Sequence, residues 1–151
     1  QLLAGQSSGL LIVESKKGCP ILVVHEASIE EIRAQKLDEL RLFDSSEAVN
    51  QFSINGVLGW LNKSTRVGLM NSINIEKEAG RSETSIWIGD TKFVLSIERA
   101  IDILQQLELY ALASYDTTQR HTKAIQQLET KEEIEAYNFK TGYPGKLSFT
   151  G

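Results

Sequence analysis

The chain has 151 residues, of which sixteen are Lys or Arg and twenty are Asp or Glu, so its formal net charge is −4 at pH 7. A chain of this length suits one domain with its own hydrophobic core. The net negative charge and the scattered basic residues argue against binding to nucleic acid or to an anionic membrane, and we expect neither as a partner.

The single cysteine, Cys19, excludes an internal disulfide and is expected to be a small buried or half-buried thiol. No apolar run approaches the length of a membrane span, and the first residues lack the charged and apolar regions of a signal peptide. Because Met70 is the only methionine, residue 1 is not expected to be the natural start. The chain is interpreted as a processed product or as the C-terminal part of a longer protein.

Residues 1–9 are predicted to form an extended N-terminal arm. Two glycines, two serines and two glutamines surround the apolar residues there, and such a segment cannot bury enough apolar surface to offset its own ordering. We expect the arm to lie against a neighbouring subunit or a sheet edge, with Leu2 and Leu3 as interface residues. An arm folded back on its own domain is the alternative. Residues 10–151 are predicted to form a single domain.

A first hairpin is predicted from two apolar runs, residues 10–14 and 21–25, which flank a turn-forming segment. Ser28 then begins a capping box with Glu31, in which each residue caps the backbone N–H of the other. A helix is therefore expected from Ser28 to about residue 43, ended by polar residues at 44–46.

Asn55-Gly56 predicts a second hairpin, because both positions of its turn require a positive φ. Asn62 is placed to cap a helix that runs to residue 79, and Gly80 provides a left-handed stop. We expect the apolar side of that helix to consist of Val67, Met70, Ile73 and the stem of Lys77.

A third hairpin is predicted from residues 84–88 and 91–95, joined at Gly89-Asp90 by a type II′ or a looser turn. Ser96 then caps the longest helix, residues 96–128. The order of hairpin, cap and helix thus occurs three times, and it predicts an α+β fold with the long helix packed on short antiparallel sheets.

The long helix carries an apolar stripe with three- and four-residue spacing. Its members are Ile97, Ile101, Leu104, Leu107, Ala111 and Tyr115. Of these, Leu104, Leu107 and Ala111 are expected to be among the least exposed residues. Residues 109–113 are apolar all round, which predicts that this part of the helix is covered on more than one side.

The stretch at residues 116–123 is polar and admits two interpretations. The helix continues through it, or Asp116 caps a second helix; we favour the continuous helix. Thr130 begins another capping box and a short helix that turns Ile134 and Tyr137 inward. Tyr143-Pro144-Gly145-Lys146 predicts a type II turn before a last strand at 146–149.

No catalytic residue, metal site or cofactor is predicted. His25 ends an apolar strand and His121 lies on the polar stretch, and neither has a partner at metal-ligand spacing. The acidic segments at 30–31 and 129–135 lie at helix starts, where carboxylates favour the helix dipole, so capping explains them. No glycine-rich phosphate loop occurs.

Trp60 and Trp87 are candidate interface residues, although packing in the core is the commoner role of a tryptophan on a hairpin strand. Trp87 lies between Ile86 and Ile88, so its strand has one face with the tryptophan and one with two isoleucines. Both faces of that hairpin are expected to contact something, either a partner subunit or another part of the chain.

From residue 52 to residue 149, about two thirds of the chain, the sequence resembles a known domain family. The resemblance is carried by FSINGVLGWLNKSTR, TSIWIGDTKFVL, LELYALASYDTTQRHTKAIQQLETKEEIEAYNF and TGYPGKLSF. This pattern of a polar hairpin, a Trp-containing strand and a helix that leads into Glu-Glu-Ile resembles a family in tail-associated and tail-fibre-associated proteins of tailed bacteriophages and prophages. The resemblance implies no catalytic residues.

Two functions are compatible with these observations. The resemblance implies a virion structural or assembly protein, located in the virion and in the host cytoplasm during assembly. Its partners would be other phage structural proteins, in many copies around a symmetric particle. The alternative is a small cytoplasmic enzyme or ligand-binding domain with a pocket near Trp60, Trp87 and Tyr110.

Overall fold

The computed structural model describes the backbone of residues 10–14 and 20–24 and every residue from 26 to 151. The predicted arm at residues 1–9, with Leu2 and Leu3, and the expectations for Cys19 and His25 lie outside the described residues.

The described part of the chain has an α+β fold, as the sequence predicts. In chain order its elements are β1 (Leu10–Glu14), β2 (Pro20–Val24), α1 (Ile29–Asp44), β3 (Phe52–Ile54), β4 (Val57–Gly59), α2 (Lys63–Glu78), β5 (Glu83–Ile88), β6 (Thr91–Ser96), α3 (Ile97–Gln127), α4 (Lys131–Ala136) and β7 (Ser148–Phe149). The antiparallel pairs β1–β2, β3–β4 and β5–β6 correspond to the three predicted hairpins.

The chain divides into two compact units. The described residues of the first are 10–14, 20–24, 26–39 and 122–138, and those of the second are 40–121 and 139–151. The prediction of a single domain over residues 10–151 stays a prediction.

Within the first unit, α1 begins at the predicted capping box. The Glu31 N–H donates to Ser28 Oγ at 3.1 Å, and the Ser28 N–H donates to Glu31 Oε1 at 2.7 Å. One turn later, Arg33 Nη1 donates to the carbonyls of Ile125 and Leu128 at 2.7 and 2.9 Å. Arg33 therefore donates to two carbonyl groups at and just beyond the C-terminal end of α3, where helix carbonyls run short of backbone donors.

A capping hydrogen bond at its start and a lysine at its end also hold the short helix α4. Its predicted cap is confirmed, since the Glu133 N–H donates to Thr130 Oγ1 at 3.1 Å. Lys36 Nζ donates to the carbonyls of Glu135 and Tyr137 at 3.2 and 3.3 Å, at the C-terminal end of α4. Ile134 is fully buried, as expected.

In the second unit, the three-stranded sheet has the order β4-β3-β7. The strand β3 is antiparallel to β4 and parallel to β7, and the backbone N–H groups of Ser53 and Asn55 donate to the carbonyls of Leu147 and Phe149. The sequence predicted the last strand but not its parallel pairing, because a pairing over ninety residues leaves no local signal. Only Ser148 and Phe149 form the strand, which is shorter than predicted.

The core of the second unit lies where α3 packs on α2 and on strands β3, β5, β6 and β7. Its buried members are Phe52, Ile54, Leu61, Ile73, Ile86, Ile88, Leu95, Ile97, Ala100, Ile103, Leu104, Leu107 and Phe149. The predicted burial of Leu104 and Leu107 is confirmed. One unbroken helix from Ile97 to Gln127 also confirms the continuous interpretation of residues 116–123.

The predicted inner face of α3 is wrong beyond Leu107. Ala111 is only half-buried, Tyr115 is exposed, and Leu109 and Leu112 are exposed where coverage on more than one side was expected. The buried face runs instead through Tyr110, Ser114, Thr117, Thr118 and Ile125. The cause is a hydrogen bond. The Tyr110 hydroxyl donates to the Val49 carbonyl at 2.6 Å, and this contact turns the face of Tyr110 inward.

Two smaller predictions are also wrong. Val67 on α2 is exposed, and the neighbouring Arg66 is buried in its place. The turn at residues 143–146 is not type II, because a positive φ occurs at Gly142 (84°) and not at Gly145. The caps of α2 and α3 are as predicted, with Asn62 Oδ1 and Ser96 Oγ accepting from the N–H three residues later.

The β3–β4 turn gives a direct test of backbone strain. Asn55 and Gly56 have φ values of 51° and 82°, as predicted, and nothing lies near the position of an added Gly56 side chain. Gly56→Val should therefore cost about 1–3 kcal/mol through backbone conformation alone. Gly145→Val is the control, because that site is equally open but has no positive φ. Urea denaturation that showed equal losses for both variants would contradict this account.

Candidate functional site

The residues predicted from the sequence to mark a site are only partly brought together. Trp60 is half-buried and contacts Tyr110 edge-on, with ring centroids 5.9 Å apart. Trp87 is exposed, on the face of β5–β6 opposite the buried Ile86 and Ile88. Of the three residues named for the pocket of the alternative function, the structure thus brings Trp60 and Tyr110 into contact and places Trp87 on an exposed strand face. Burial raises the pKa of the Tyr110 hydroxyl.

A different concave surface lies between α2 and α3, which we call the α2/α3 groove. It is an open groove of about 490 Å³. Its lining residues are Lys63, Arg66, Val67, Met70, Asn71 and Asn74 from α2, and Leu104, Gln105 and Glu108 from α3. The spacing of these positions places them on one side of each helix. The groove thus combines an apolar floor, three carboxamides and three charged groups.

The charged end of the groove is built around Glu108. Lys63 Nζ lies 2.6 Å from Glu108 Oε2, and Arg66 Nε lies 3.1 Å from Glu108 Oε1. Arg66 is 6% exposed, donates from Nη1 to the Leu61 carbonyl at 2.6 Å, and places its guanidinium 5.5 Å from the Trp60 ring centre. Arg66 can occupy an inner position of α2 because these contacts compensate its buried charge.

The same contacts shift the protonation of Glu108. The hydrogen bond from Lys63 is the largest cause that lowers the pKa of Glu108 from its ordinary value of 4.5, and Arg66 adds to it; burial acts in the opposite direction. The folded chain therefore binds this proton less readily than the unfolded chain does. Stability from Glu108 is present above the ordinary value and is lost as the pH falls through the folded pKa.

Glu108→Gln tests this linkage. Because glutamine does not titrate, we expect the parent to be more stable than Glu108→Gln at neutral pH and the difference to shrink as the pH falls below about 4. Asp90→Asn, at an exposed carboxylate of the β5–β6 turn, is the control. Urea denaturation curves at several pH values measure the difference, and a gap that stayed constant down to low pH would show that Glu108 is not linked to folding.

Next to the groove, α3 exposes three large apolar side chains in successive turns. Leu109, Leu112 and Tyr115 are 66%, 54% and 62% exposed, and we call them the α3 ridge. Their helical positions lie beside Gln105 and Glu108, so the ridge extends the surface of the groove along the helix.

Sequence reasoning missed a polar network farther along α3. Thr118 Oγ1 lies 2.8 Å from Asp44 Oδ1, to which it donates, and 2.6 Å from the Tyr143 hydroxyl. The His121 ring lies 5.8 Å from the Tyr143 ring, and its Nε2 is 2.7 Å from the Thr141 carbonyl oxygen. These contacts hold residues 141–143 against α3, which explains why a polar stretch continues a buried helix face. The available signal was the three- and four-residue spacing that links Tyr110 to Thr118 and His121.

Within the described residues, no group of three His, Cys, Asp or Glu side chains is placed to hold a metal ion. None of the described helices has an apolar stretch long enough to cross a membrane.

Comparison with known proteins found no match to a family model, a curated protein or a solved structure.

Proposed function

We propose that this chain is a structural or assembly protein of a tailed bacteriophage virion, associated with the tail, which acts through protein–protein contacts and not through catalysis. The phage setting rests on the resemblance of residues 52–149 to the tail-associated family. The mode of action rests on the surface of the molecule.

The observation that carries the proposal is the exposure of the α3 ridge. Three large apolar side chains in successive turns of one helix remain mostly exposed to water in the isolated chain. Contiguous apolar surface of this kind is typical of sites that contact another protein. We therefore propose the ridge as part of an interface that is covered in the assembled particle.

The energetic scale indicates how far the interface extends. Covering the exposed parts of three such side chains is worth on the order of 3–4 kcal/mol. A micromolar contact requires about 8 kcal/mol, after the cost of ordering both partners. The ridge alone is therefore too small, and the interface has to include neighbouring surface, of which the α2/α3 groove is the concave part.

The assembly that we propose contains many copies of the chain among other phage structural proteins. Closed symmetric arrangements use the same surface on every copy, so each contact is repeated around the particle. The exposed Trp87 offers a second candidate contact on the β5–β6 hairpin.

Mass spectrometry of purified particles tests the proposal. Virions from the phage or induced prophage that encodes the chain should contain it at a fixed ratio to the other tail proteins. The unpurified lysate is the control for abundance. Presence in the lysate without presence in particles would remove the structural role and leave an assembly factor, while absence from both would contradict the proposal.

A further inference from the structure

We propose that the α2/α3 groove binds a carboxylate presented by a short peptide segment of the partner protein, with an apolar side chain of that segment on the groove floor. This inference rests on the proposed function, because it names the chemistry of what the partner presents. Three features of the groove support it: its charge, its unused hydrogen-bond donors and its size.

The charged end of the groove has two cations and one carboxylate. Lys63 and Arg66 share Glu108, which leaves one positive charge uncompensated among the charged groups that line the groove. The Lys63 ammonium has three N–H donors, and Glu108 takes one of them. Because Lys63 is also exposed, it can pair with an incoming carboxylate without losing Glu108. The charge of the groove therefore complements one further negative group.

Arg66 provides a second, independent observation. Its Nε and Nη1 have acceptors, but Nη2 donates no hydrogen bond within the part of the chain that the structure describes. Among the described residues the buried side-chain polar atom without a partner is Ser114 Oγ and not Arg66 Nη2, so this guanidinium nitrogen remains open to solvent while Arg66 lines the groove. A carboxylate oxygen is the acceptor that best satisfies a guanidinium nitrogen.

The remaining lining fits a peptide. Met70 and Leu104 form an apolar floor beside the charged end. The carboxamides of Asn71, Asn74 and Gln105 line the same groove, and none of them hydrogen-bonds to another described residue. A carboxamide both donates and accepts, as a peptide backbone requires of its partner. A groove of about 490 Å³ accommodates a few residues. The occupant is therefore a short segment with a carboxylate next to an apolar side chain.

The carboxylate can come from the C-terminus of the partner protein or from one of its Asp or Glu residues. Three matched pools of N-acetylated hexapeptides rich in Leu and Val separate these sources: free acids, C-terminal amides, and amides with one internal Glu. Each pool is titrated into the ¹⁵N-labelled full-length protein and followed by NMR. We expect binding to shift the amide signals of groove residues. The free acids, the Glu-containing amides, or both should bind with a Kd at least about fivefold lower than that of the neutral amides.

Two substitutions with opposite expected effects sharpen the test. Lys63→Gln should weaken binding of the carboxylate peptides about fivefold, whereas Glu108→Gln should strengthen it a few-fold by removing the competing negative charge. Lys92→Gln, at an exposed lysine of the β5–β6 hairpin, is the matched control and should change nothing. If the ion pair had a purely structural role, both groove substitutions would change the affinity for the peptides in the same direction.

The inference is overturned if none of the pools shifts groove residues at millimolar peptide, if neutral amides bind as well as carboxylates, or if Lys63→Gln binds like the parent. These outcomes are independent of whether mass spectrometry detects the chain in purified virions. A protein that is present in purified virions but does not bind the peptides would contradict the carboxylate site alone, and one that binds them but is absent from particles and lysate would contradict the phage assignment alone.

Discussion

Leu107→Ala should lower the free energy of unfolding by about 2–5 kcal/mol, because it deletes buried methyl groups and leaves a cavity. Leu107 is 0% exposed, on the face of α3 that packs in the core. The matched control is Leu109→Ala, the same substitution two positions away on the exposed α3 ridge, which should change stability by less than about 0.5 kcal/mol.

Urea denaturation of both variants measures the difference in the free energy of unfolding. An unchanged slope of that free energy against urea concentration would show that only stability has changed. This pair tests the orientation of α3 directly, since the two leucines differ in position and not in chemistry. Similar losses for both would show that the ridge is covered within the molecule, and they would remove the main support for an interface there.

Phe52→Ala should cost about 3–5 kcal/mol. Phe52 is 2% exposed and lies between Trp60 and Phe149, with ring centroids 6.4 and 5.8 Å away. It therefore connects the β3–β4 hairpin to the parallel strand β7, and its loss should loosen both.

The control for Phe52 is Trp87→Ala, which removes a larger aromatic ring from a hairpin strand. Because Trp87 is exposed, we expect a loss below about 0.5 kcal/mol in the isolated protein. Thermal and urea unfolding of the two variants shows which substitution destabilises the protein more. A larger loss for Trp87→Ala would show that the β5–β6 hairpin buries its tryptophan face.

The parts of the fold that the sequence predicted correctly depend on local interactions. Ser28 with Glu31, Asn62, Ser96 and Thr130 cap helices through hydrogen bonds to residues three positions away. Such contacts leave a signature within a few residues, so the starts of four helices were readable from the sequence.

The buried face of α3 depends on distant residues. The first half of the helix follows its apolar stripe, but beyond Leu107 the inner positions are set by Val49, which accepts from Tyr110, and by Asp44 and Tyr143, which bond to Thr118. An apolar stripe identifies a helix face only while apolar side chains fill it. Where hydrogen bonds to remote groups fill the face instead, periodicity points to the wrong side.

The groove was not predictable for the same reason. Lys63 and Arg66 precede Glu108 by more than forty residues, and their pairing depends on how α2 packs on α3. Composition also misled the assignment of α2, since an amphipathic pattern places Val67 inside and Arg66 outside. The structure reverses them because the guanidinium finds a carboxylate, a carbonyl and an aromatic ring.

We propose that the α3 ridge and the adjoining groove contact another phage protein in the assembled particle. The most direct measurement places a photo-crosslinking amino acid at position 109 on the ridge and irradiates purified virions. The control carries it at position 75, an exposed position of α2 that does not line the groove. We predict a covalent adduct to another structural protein from position 109, at a yield well above that from position 75. Incorporation into particles with no adduct from position 109 would contradict the claim.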